Sequence, residues 1–244
     1  MRVKVLAISD NPALASGLMA IWNELRLDEL ASLELRYSQR NAAPNGMILL
    51  GATGINLKDP KGLSEAKTFD RILSVHCKQL FPAELVEAKL CVNLHPGFNP
   101  HGRGWYPQVF AIHEGGPAGA TLHVMDPDLD AGGIIDRRRV ELFAQDTSLD
   151  VYERIKSVEL DILRANLRSI IAGSFKACPP EFKGRVRTRD DFKRLCKLDL
   201  SSTGTLGQHI DLLRCLTHGE FRNAYFETPG GTRIYVKISL DPER

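Results

Sequence analysis

A short stretch at residues 91–105 constrains the fold of this chain more than any other part, and it reads CVNLHPGFNPHGRGW. Its apolar beginning is typical of the end of a buried strand. The Pro and Gly residues from Pro96 onward end that strand and open a loop. Side chains two positions apart in a strand point to the same side, so Asn93 and His95 project together. The stretch therefore predicts two hydrogen-bonding groups at a strand end, where open α/β sheets bind their ligands.

The pair Asn93 and His95 has a catalytic and a structural interpretation. An imidazole moves protons near neutral pH, and an amide donates a hydrogen bond to a developing oxyanion. The structural alternatives are a pair that caps a turn and a core histidine that bonds to the backbone. Spacing alone leaves these interpretations open.

A second informative stretch, residues 120–136, reads ATLHVMDPDLDAGGIID and joins two strand-like segments through an acidic loop. Asp130 lies in this loop near Asp126 and Asp128, and the ordinary interpretation of such a loop is a solvated one. The spacing lacks the Gly and the terminal Glu of an EF-hand calcium loop. We therefore predict no metal site here.

Together the two stretches resemble the formyltetrahydrofolate-dependent formyltransferases, in which an Asn-x-His-Pro strand end precedes a Leu-Asp-x-Gly loop. The Asn, His and Asp of that family fall on Asn93, His95 and Asp130. Residues 97–108 differ from the Ser-Leu-Leu-Pro continuation of the methionyl-tRNA and purine-pathway members. With HCKQLFP at residues 76–82, they resemble the branch that N-formylates nucleotide-linked amino sugars. The resemblance covers about residues 70–240.

This resemblance implies an activity, two substrates and a separate role for each of the three residues. The formyl donor would be N10-formyltetrahydrofolate, and the acceptor a dTDP-linked 3- or 4-amino deoxysugar of O-antigen or lipopolysaccharide biosynthesis. His95 would act as general base or charged donor, Asn93 would stabilise the oxyanion, and Asp130 would orient the imidazole. The folate would occupy an apolar slot that the family places at Leu80, Phe81, Leu85, Asp126 and Asp130.

Further residues near the two stretches are candidates for binding the acceptor. Lys78, Asn99 and Arg103 flank the site in sequence and can meet a pyrophosphate, Arg in a bidentate way and Lys as a point charge. Aromatic side chains can stack on a nucleobase, although filling the core is their commoner role. These aromatic candidates are Trp105, Tyr106, Phe221 and Tyr225.

Other functions remain open at this stage. They are a purine-pathway or methionyl-tRNA formyltransferase, and a non-catalytic module that binds folate or a nucleotide sugar. The net charge is only +2, and without a long block of like charges we expect neither a nucleic acid nor a membrane as partner. The five cysteines are scattered, and the amino-terminal residues do not resemble a signal peptide. We therefore expect a reducing, cytoplasmic location.

Strand-like segments alternate with helical ones along most of the chain, which predicts an α/β, doubly wound, Rossmann-like and mostly parallel sheet. The pair Gly51 and Gly54 lacks the pattern of a phosphate loop, and we expect a turn there. A composition change at Cys178 predicts a catalytic domain over 1–178 and an extension over 179–244, with a helix at about 206–217 and a β-hairpin of segments 221–227 and 232–238. Within the first domain we predict a strand at 71–75, a helix at about 107–114, and a long helix with one apolar face from the capping-box-like start at 147–150 to Gly173. The hairpin leaves a homodimer open.

Overall fold

A computed structural model describes residues 2–243. Its strands are β1 (Val3–Ser9), β2 (Ala31–Ser38), β3 (Thr53–Ile55), β4 (Arg71–Val75), β5 (Leu90–His95), β6 (Arg103–Gly104), β7 (Ala118–Val124), β8 (Ile134–Val140), β9 (Val186–Arg187), β10 (Tyr225–Glu227) and β11 (Arg233–Tyr235). Its helices are α1 (Pro12–Glu24), α2 (Asn45–Leu49), α3 (Pro60–Ala66), α4 (Ala83–Ala88), α5 (Pro107–Glu114), α6 (Ser148–Ala172), α7 (Arg189–Cys196) and α8 (Leu206–Leu216), with a 3-10 turn at Leu27–Glu29.

Seven of the strands form one sheet in the order β3-β2-β1-β4-β5-β7-β8. The first five run parallel to one another, whereas β7 and β8 are antiparallel to their neighbours. The predicted α/β architecture with a mostly parallel sheet is confirmed. The chain winds outward from β1 to β3 and then returns to β4, so the order reverses between β1 and β4. Such a reversal opens a crevice at the carboxyl ends of the strands.

The alternation of side chains along the central strands assigns each residue to one side of the sheet. Val92 and Leu94 of β5 belong to the main hydrophobic core, together with buried residues of α1, α5 and α6. Cys91 points to the other side, where it packs with Leu85 of α4. Because Asn93 and His95 alternate with the residues of the main core, they lie on the α4 side.

The long helix α6 covers the opposite side of the sheet and has the predicted bounds. Thr147 and Asp150 form a capping box at its start, and Gly173 ends it with a φ of 70°. Its buried face is apolar except for Ser148 and Glu159. Within residues 2–243 no helix is both long and apolar enough to span a membrane.

The carboxyl-terminal part contains the predicted helix and hairpin, and it also contributes β9, which pairs with β6, and the short helix α7. The hairpin strands β10 and β11 are shorter than the predicted segments 221–227 and 232–238, because Phe221 turns back onto His218 and Asn223 donates to the carbonyl of Leu216. Cys215, Leu216 and Ala224 join the main core of the sheet.

The predicted turn at Gly51 and Gly54 is only partly confirmed. Gly51 has a φ of 79° and follows α2, as a turn residue does. Gly54, however, lies inside β3, where it pairs with Tyr37 of β2. The short strand escaped prediction because three residues at a sheet edge carry too little apolar alternation to be recognised.

Candidate active site

The candidate site is centred on Asp130, which lies in the loop between β7 and β8. Its backbone has a φ of 50°, a left-handed conformation that Asp tolerates better than most residues. One carboxylate oxygen, Oδ1, accepts a hydrogen bond from Asn93 Nδ2 at 3.2 Å. The other, Oδ2, accepts one from the main-chain N–H of Gly104 at 3.0 Å. Both oxygens of this carboxylate are therefore satisfied.

His95 stands beside this carboxylate at the end of β5. Its Nδ1 lies 3.7 Å from Asp130 Oδ2, and its Nε2 lies 2.6 Å from the carbonyl oxygen of Gly102, to which it donates. The ring packs so closely on Gly97 that a Cβ there would collide with both the imidazole and that carbonyl. The glycine at position 97 therefore permits the loop to fold over the histidine.

A second histidine, His123, completes the cluster, and sequence reasoning missed it. The antiparallel register of β5 and β7 places His123 opposite Asn93. Its Nε2 lies 3.2 Å from Asn93 Nδ2 and 3.5 Å from Asp130 Oδ1, while its Nδ1 donates to the carbonyl of Val124. The available signal was a polar residue inside an otherwise apolar strand. Using it required knowing that β7 runs antiparallel beside β5.

The charge of Asp130 is fixed by these neighbours. Burial by itself would raise the pKa of Asp130, but the nearby His95, the contact with His123 and the N–H of Gly104 lower it. The net result is a pKa well below the usual range of an aspartate. The carboxylate is thus ionised at neutral pH, and it faces two imidazoles.

Asn99 and Arg103 hold the two loops of the site together. Asn99 Nδ2 donates to the carbonyl of Asp130 at 3.1 Å. The guanidinium of Arg103 donates to the carbonyl oxygens of Leu129 and Gly184, and the side chain is almost fully buried. This use of their donors differs from the predicted contact with a pyrophosphate. Both residues therefore anchor the loops of the site, and their contact with the pyrophosphate of an acceptor stays a prediction.

The other predicted acceptor residues occupy different environments. Lys78 is exposed, and its main-chain N–H donates to Asp10 Oδ2 at 2.7 Å, which fixes the loop after β4. The rings of Trp105 and Tyr106 are covered by the guanidinium of Arg189 and the ring of Phe192. The two aromatic residues near the hairpin differ in exposure, because Tyr225 packs on the main core whereas Phe221 is 67% exposed.

Residues 53–167 match the Formyl transferase family, and residues 191–242 match the N-formyltransferase dimerization C-terminal domain. The dTDP-4-amino-4,6-dideoxyglucose formyltransferase of Mycobacterium tuberculosis (strain ATCC 25618 / H37Rv) is 43% identical over 176 residues, which are 72% of this chain and 75% of that protein. The chain belongs to the formyl transferase family.

Solved structures agree with this assignment over the whole chain. A sugar N-formyltransferase from Shewanella sp FDAARGOS_354 is 40% identical, with a TM-score of 0.96 and 99% of both chains covered. A 4-N formyltransferase from Francisella tularensis is 31% identical, with a TM-score of 0.91 and 99% of both chains covered. The predicted resemblance to the branch that acts on nucleotide-linked amino sugars is confirmed.

In this formyltransferase the residues predicted to bind folate lie on the α4 side of the sheet or in the Asp130 loop. Leu85 is fully buried, Phe81 is half-buried against the same cluster, and Leu80 is 60% exposed. Asp126 is exposed at the start of the loop that carries Asp130. Asn93 and His95 face the α4 side as well, so the predicted folate residues of that side and the candidate cluster lie on the same side of the sheet. Contact with folate itself stays a prediction.

Proposed function

We propose that this enzyme transfers the formyl group of N10-formyltetrahydrofolate to the amine of a dTDP-linked 4-amino deoxysugar. The observation that carries the proposal is the buried cluster of Asn93, His95 and Asp130 at the carboxyl edge of the sheet. The acceptor class is supported by the mycobacterial relative, whose name specifies a dTDP-linked 4-amino sugar, and by the 4-N formyltransferase of Francisella tularensis. The names of both relatives specify position 4, which favours an acceptor amine at C4 over one at C3.

In the proposed reaction the acceptor amine attacks the formyl carbon, and the carbonyl oxygen becomes an oxyanion. The bond between that carbon and N10 then breaks, and the proton lost by the amine reaches N10, which leaves tetrahydrofolate and a formamide. The carbonyl of Gly102 occupies His95 Nε2, so Nδ1 is the nitrogen that takes up the proton. Asp130, 3.7 Å away, stabilises the resulting cation.

Asn93 has the proposed role of stabilising the oxyanion. One Nδ2 hydrogen is directed at Asp130, which holds the amide in place, and the other at His123. The second hydrogen is the one that the oxyanion would take over from His123 in the transition state. An amide donor of this kind typically contributes on the order of 10²–10³-fold in rate.

The alternative functions have weaker support. A methionyl-tRNA or purine-pathway acceptor is disfavoured by the end-to-end similarity to a sugar N-formyltransferase and by the net charge of only +2. A non-catalytic binding module would have no need of a buried, ionised Asp130 held against two histidines.

The test is to incubate the purified chain with N10-formyltetrahydrofolate and a panel of acceptors, and to detect the added formyl group by mass spectrometry. The panel contains dTDP-linked 4-amino and 3-amino sugars, a UDP-linked 4-amino sugar, glycinamide ribonucleotide and methionyl-tRNA. We expect product from the dTDP-linked 4-amino sugar at the highest kcat/KM. Preferred formylation of the ribonucleotide or the tRNA would contradict the proposal. The predicted place in O-antigen or lipopolysaccharide synthesis, and the cytoplasmic location, remain predictions.

We also propose a homodimer formed by the carboxyl-terminal part, which matches a dimerization domain. Several large apolar side chains are exposed there, among them Leu200, Leu206, Ile234 and Tyr235. We expect Ile234→Asp to lower the sedimentation mass from two chains to one, because a charge cannot be buried in an apolar interface. The matched control is Leu49→Asp, at an exposed leucine on α2. A monomeric wild type, or an unchanged mass for Ile234→Asp, would contradict the dimer.

A further inference from the structure

A second pair of histidine and carboxylate lies at the same edge of the sheet, on the side covered by α6. Glu159 of α6 is fully buried, and its Oε1 lies 2.8 Å from His76 Nε2. Its other oxygen, Oε2, has no hydrogen-bond donor among the residues that the structure describes. Burying a half-satisfied carboxylate costs stability, so its presence requires an explanation.

The two residues belong to a chain of hydrogen bonds with a defined direction. Asn11 Oδ1 accepts the N–H groups of Ala13 and Leu14 as the cap of α1, which turns its Nδ2 toward the hydroxyl of Tyr152 at 3.2 Å. The Tyr152 hydroxyl lies 3.2 Å from His76 Nδ1, and His76 Nε2 donates to Glu159. This series of hydrogen bonds therefore begins at Asn11, after β1, and ends at the buried carboxylate of Glu159.

His76 connects this series of hydrogen bonds to the edge of the sheet where the proposed catalytic cluster lies. Val75 pairs with Leu94 in the sheet, and His76 and His95 are the residues that directly follow this pair on the two neighbouring strands. His76 has a φ of 56°, which breaks the alternation of the strand and directs its side chain to Glu159 on the α6 side. His95 faces the α4 side. The two imidazoles thus stand on opposite sides of one edge of the sheet.

The side chains of His76, Tyr152 and Glu159 favour a hydroxylated ligand over a phosphate. The negative charge of Glu159 would repel a phosphate, and it helps to hold the neighbouring Tyr152 in its protonated form, with burial raising the pKa of that hydroxyl to about 12. A sugar hydroxyl can take the place of one internal partner of Tyr152 or His76, because a protonated phenol and an imidazole both exchange hydrogen bonds with hydroxyl groups. The side chains of His76 and Tyr152 retain some exposure, whereas Glu159 has none.

A row of aromatic rings continues from this chain to the surface. The ring of Tyr152 lies 6.0 Å from that of His76 and 5.7 Å from that of His218, which in turn lies 5.7 Å from the exposed Phe221. Lys156 Nζ lies 5.3 Å from the centre of the Tyr152 ring and supplies a positive charge on the same side. In this order the exposed ring of Phe221 would face the base of an extended nucleotide sugar, and His76 would face its sugar.

We propose that His76 and Tyr152 bind hydroxyl groups of the acceptor sugar and that Glu159 is the positioning residue that holds His76. The acceptor then reaches the edge of the sheet from the α6 side, while the formyl donor approaches Asn93 and His95 from the α4 side. This inference rests on the proposed function, because it assigns one of the two substrates to one side of the sheet.

The test compares steady-state kinetics of Tyr152→Phe and His76→Ala with those of matched controls, Tyr37→Phe and His113→Ala, which lie away from both clusters. We expect the acceptor KM to rise about tenfold in each test variant, equivalent to about 1.4 kcal/mol of binding. The KM for N10-formyltetrahydrofolate and kcat should stay within about twofold of wild type, and the controls should not change. Glu159→Gln should raise the acceptor KM less, because its amide oxygen still accepts from His76.

A purely structural role would overturn the inference, and it has a distinct signature. In that case Tyr152→Phe and His76→Ala would lower the melting temperature while leaving the acceptor KM within about twofold of wild type. If His76→Ala does not fold, Tyr152→Phe decides alone, since it removes only one hydroxyl. A wild-type enzyme that formylates no dTDP-linked amino sugar would instead contradict the proposed function, and this is measured before any variant.

Discussion

Two buried carboxylates face histidines at the same edge of this sheet, and they are satisfied to very different degrees. Asp130 receives hydrogen bonds on both oxygens, from Asn93 and Gly104, and has two imidazoles nearby. Glu159 has one partner, His76, and one oxygen without a donor. The first arrangement fixes a charge before any substrate arrives, as preorganised catalysis requires. The second leaves one buried carboxylate oxygen without a donor, which a purely structural ion pair does not explain.

The largest expected effect comes from removing the imidazole of His95, which lies beside the fully hydrogen-bonded Asp130. We expect His95→Ala to lower kcat by about 10²–10⁴-fold, the usual contribution of a general acid–base group. The dissociation constant of the folate donor, measured by calorimetry, should remain close to that of wild type, because the predicted folate contacts do not include His95. A variant that retained nearly full kcat would show that His95 takes no part in the chemistry.

Asp130→Asn should produce the next largest loss. Asn tolerates the left-handed backbone at this position, so the loop keeps its shape. Its amide has only one oxygen, and its NH₂ must face either the N–H of Gly104 or Asn93 Nδ2. We expect kcat to fall by on the order of 10²-fold, because the cation on His95 loses its counter-charge. The control is Asp128→Asn in the same loop, at an exposed carboxylate. Equal rates for the two variants would remove Asp130 from the mechanism.

The same substitution should reveal a pH-dependent part of the stability. The pKa of Asp130 is lower in the folded chain than the value of about 3.9 for an unfolded aspartate, so its charge stabilises the fold above that value. We expect urea unfolding at pH 7 to show a loss of about 1–3 kcal/mol for Asp130→Asn. This difference should shrink as the pH falls below about 4, because wild type then begins to lose the same stabilisation. A difference that stayed constant between pH 7 and pH 3 would contradict the lowered pKa.

The smallest effect on stability is expected for Glu159→Gln. The substitution removes the cost of burying a charge together with part of its bond to His76, and the two changes oppose each other. We expect the free energy of unfolding at pH 7 to stay within about 1 kcal/mol of wild type. A loss as large as that of Asp130→Asn would show that both carboxylates are equally well satisfied, and the contrast between them would disappear.

Local signals in the sequence were sufficient for several elements of the fold and for the positions of the proposed catalytic residues. The strand β4 and the helices α5 and α6 have the predicted bounds, because Pro107, Gly115 and the capping box at Thr147 mark helix ends by their own backbone preferences. The strand end with Asn93 and His95 and the later loop with Asp130 are likewise where the motifs predicted them. Local signals were sufficient because each of these features depends on a few neighbouring residues.

Features that depend on distant partners could not be predicted in the same way. The contact of His123 with Asn93 follows from an antiparallel register that no local pattern encodes. The bonds of Arg103 to Leu129 and Gly184 join loops that are far apart in sequence. Glu159 differs, because it lies on the predicted apolar face of α6, between Ile155 and Ile162. A charged residue on a buried face is a readable signal of a partner across the fold.

The carboxyl-terminal part matches a family domain of its own, yet Cys215, Leu216 and Ala224 are embedded in the interior that the sheet and α6 build. A chimaera that carried the tail of a relative would therefore have to reproduce the interlocking of those side chains as well as the hairpin. The same connection makes the chain one cooperative unit, so calorimetry should record a single endotherm.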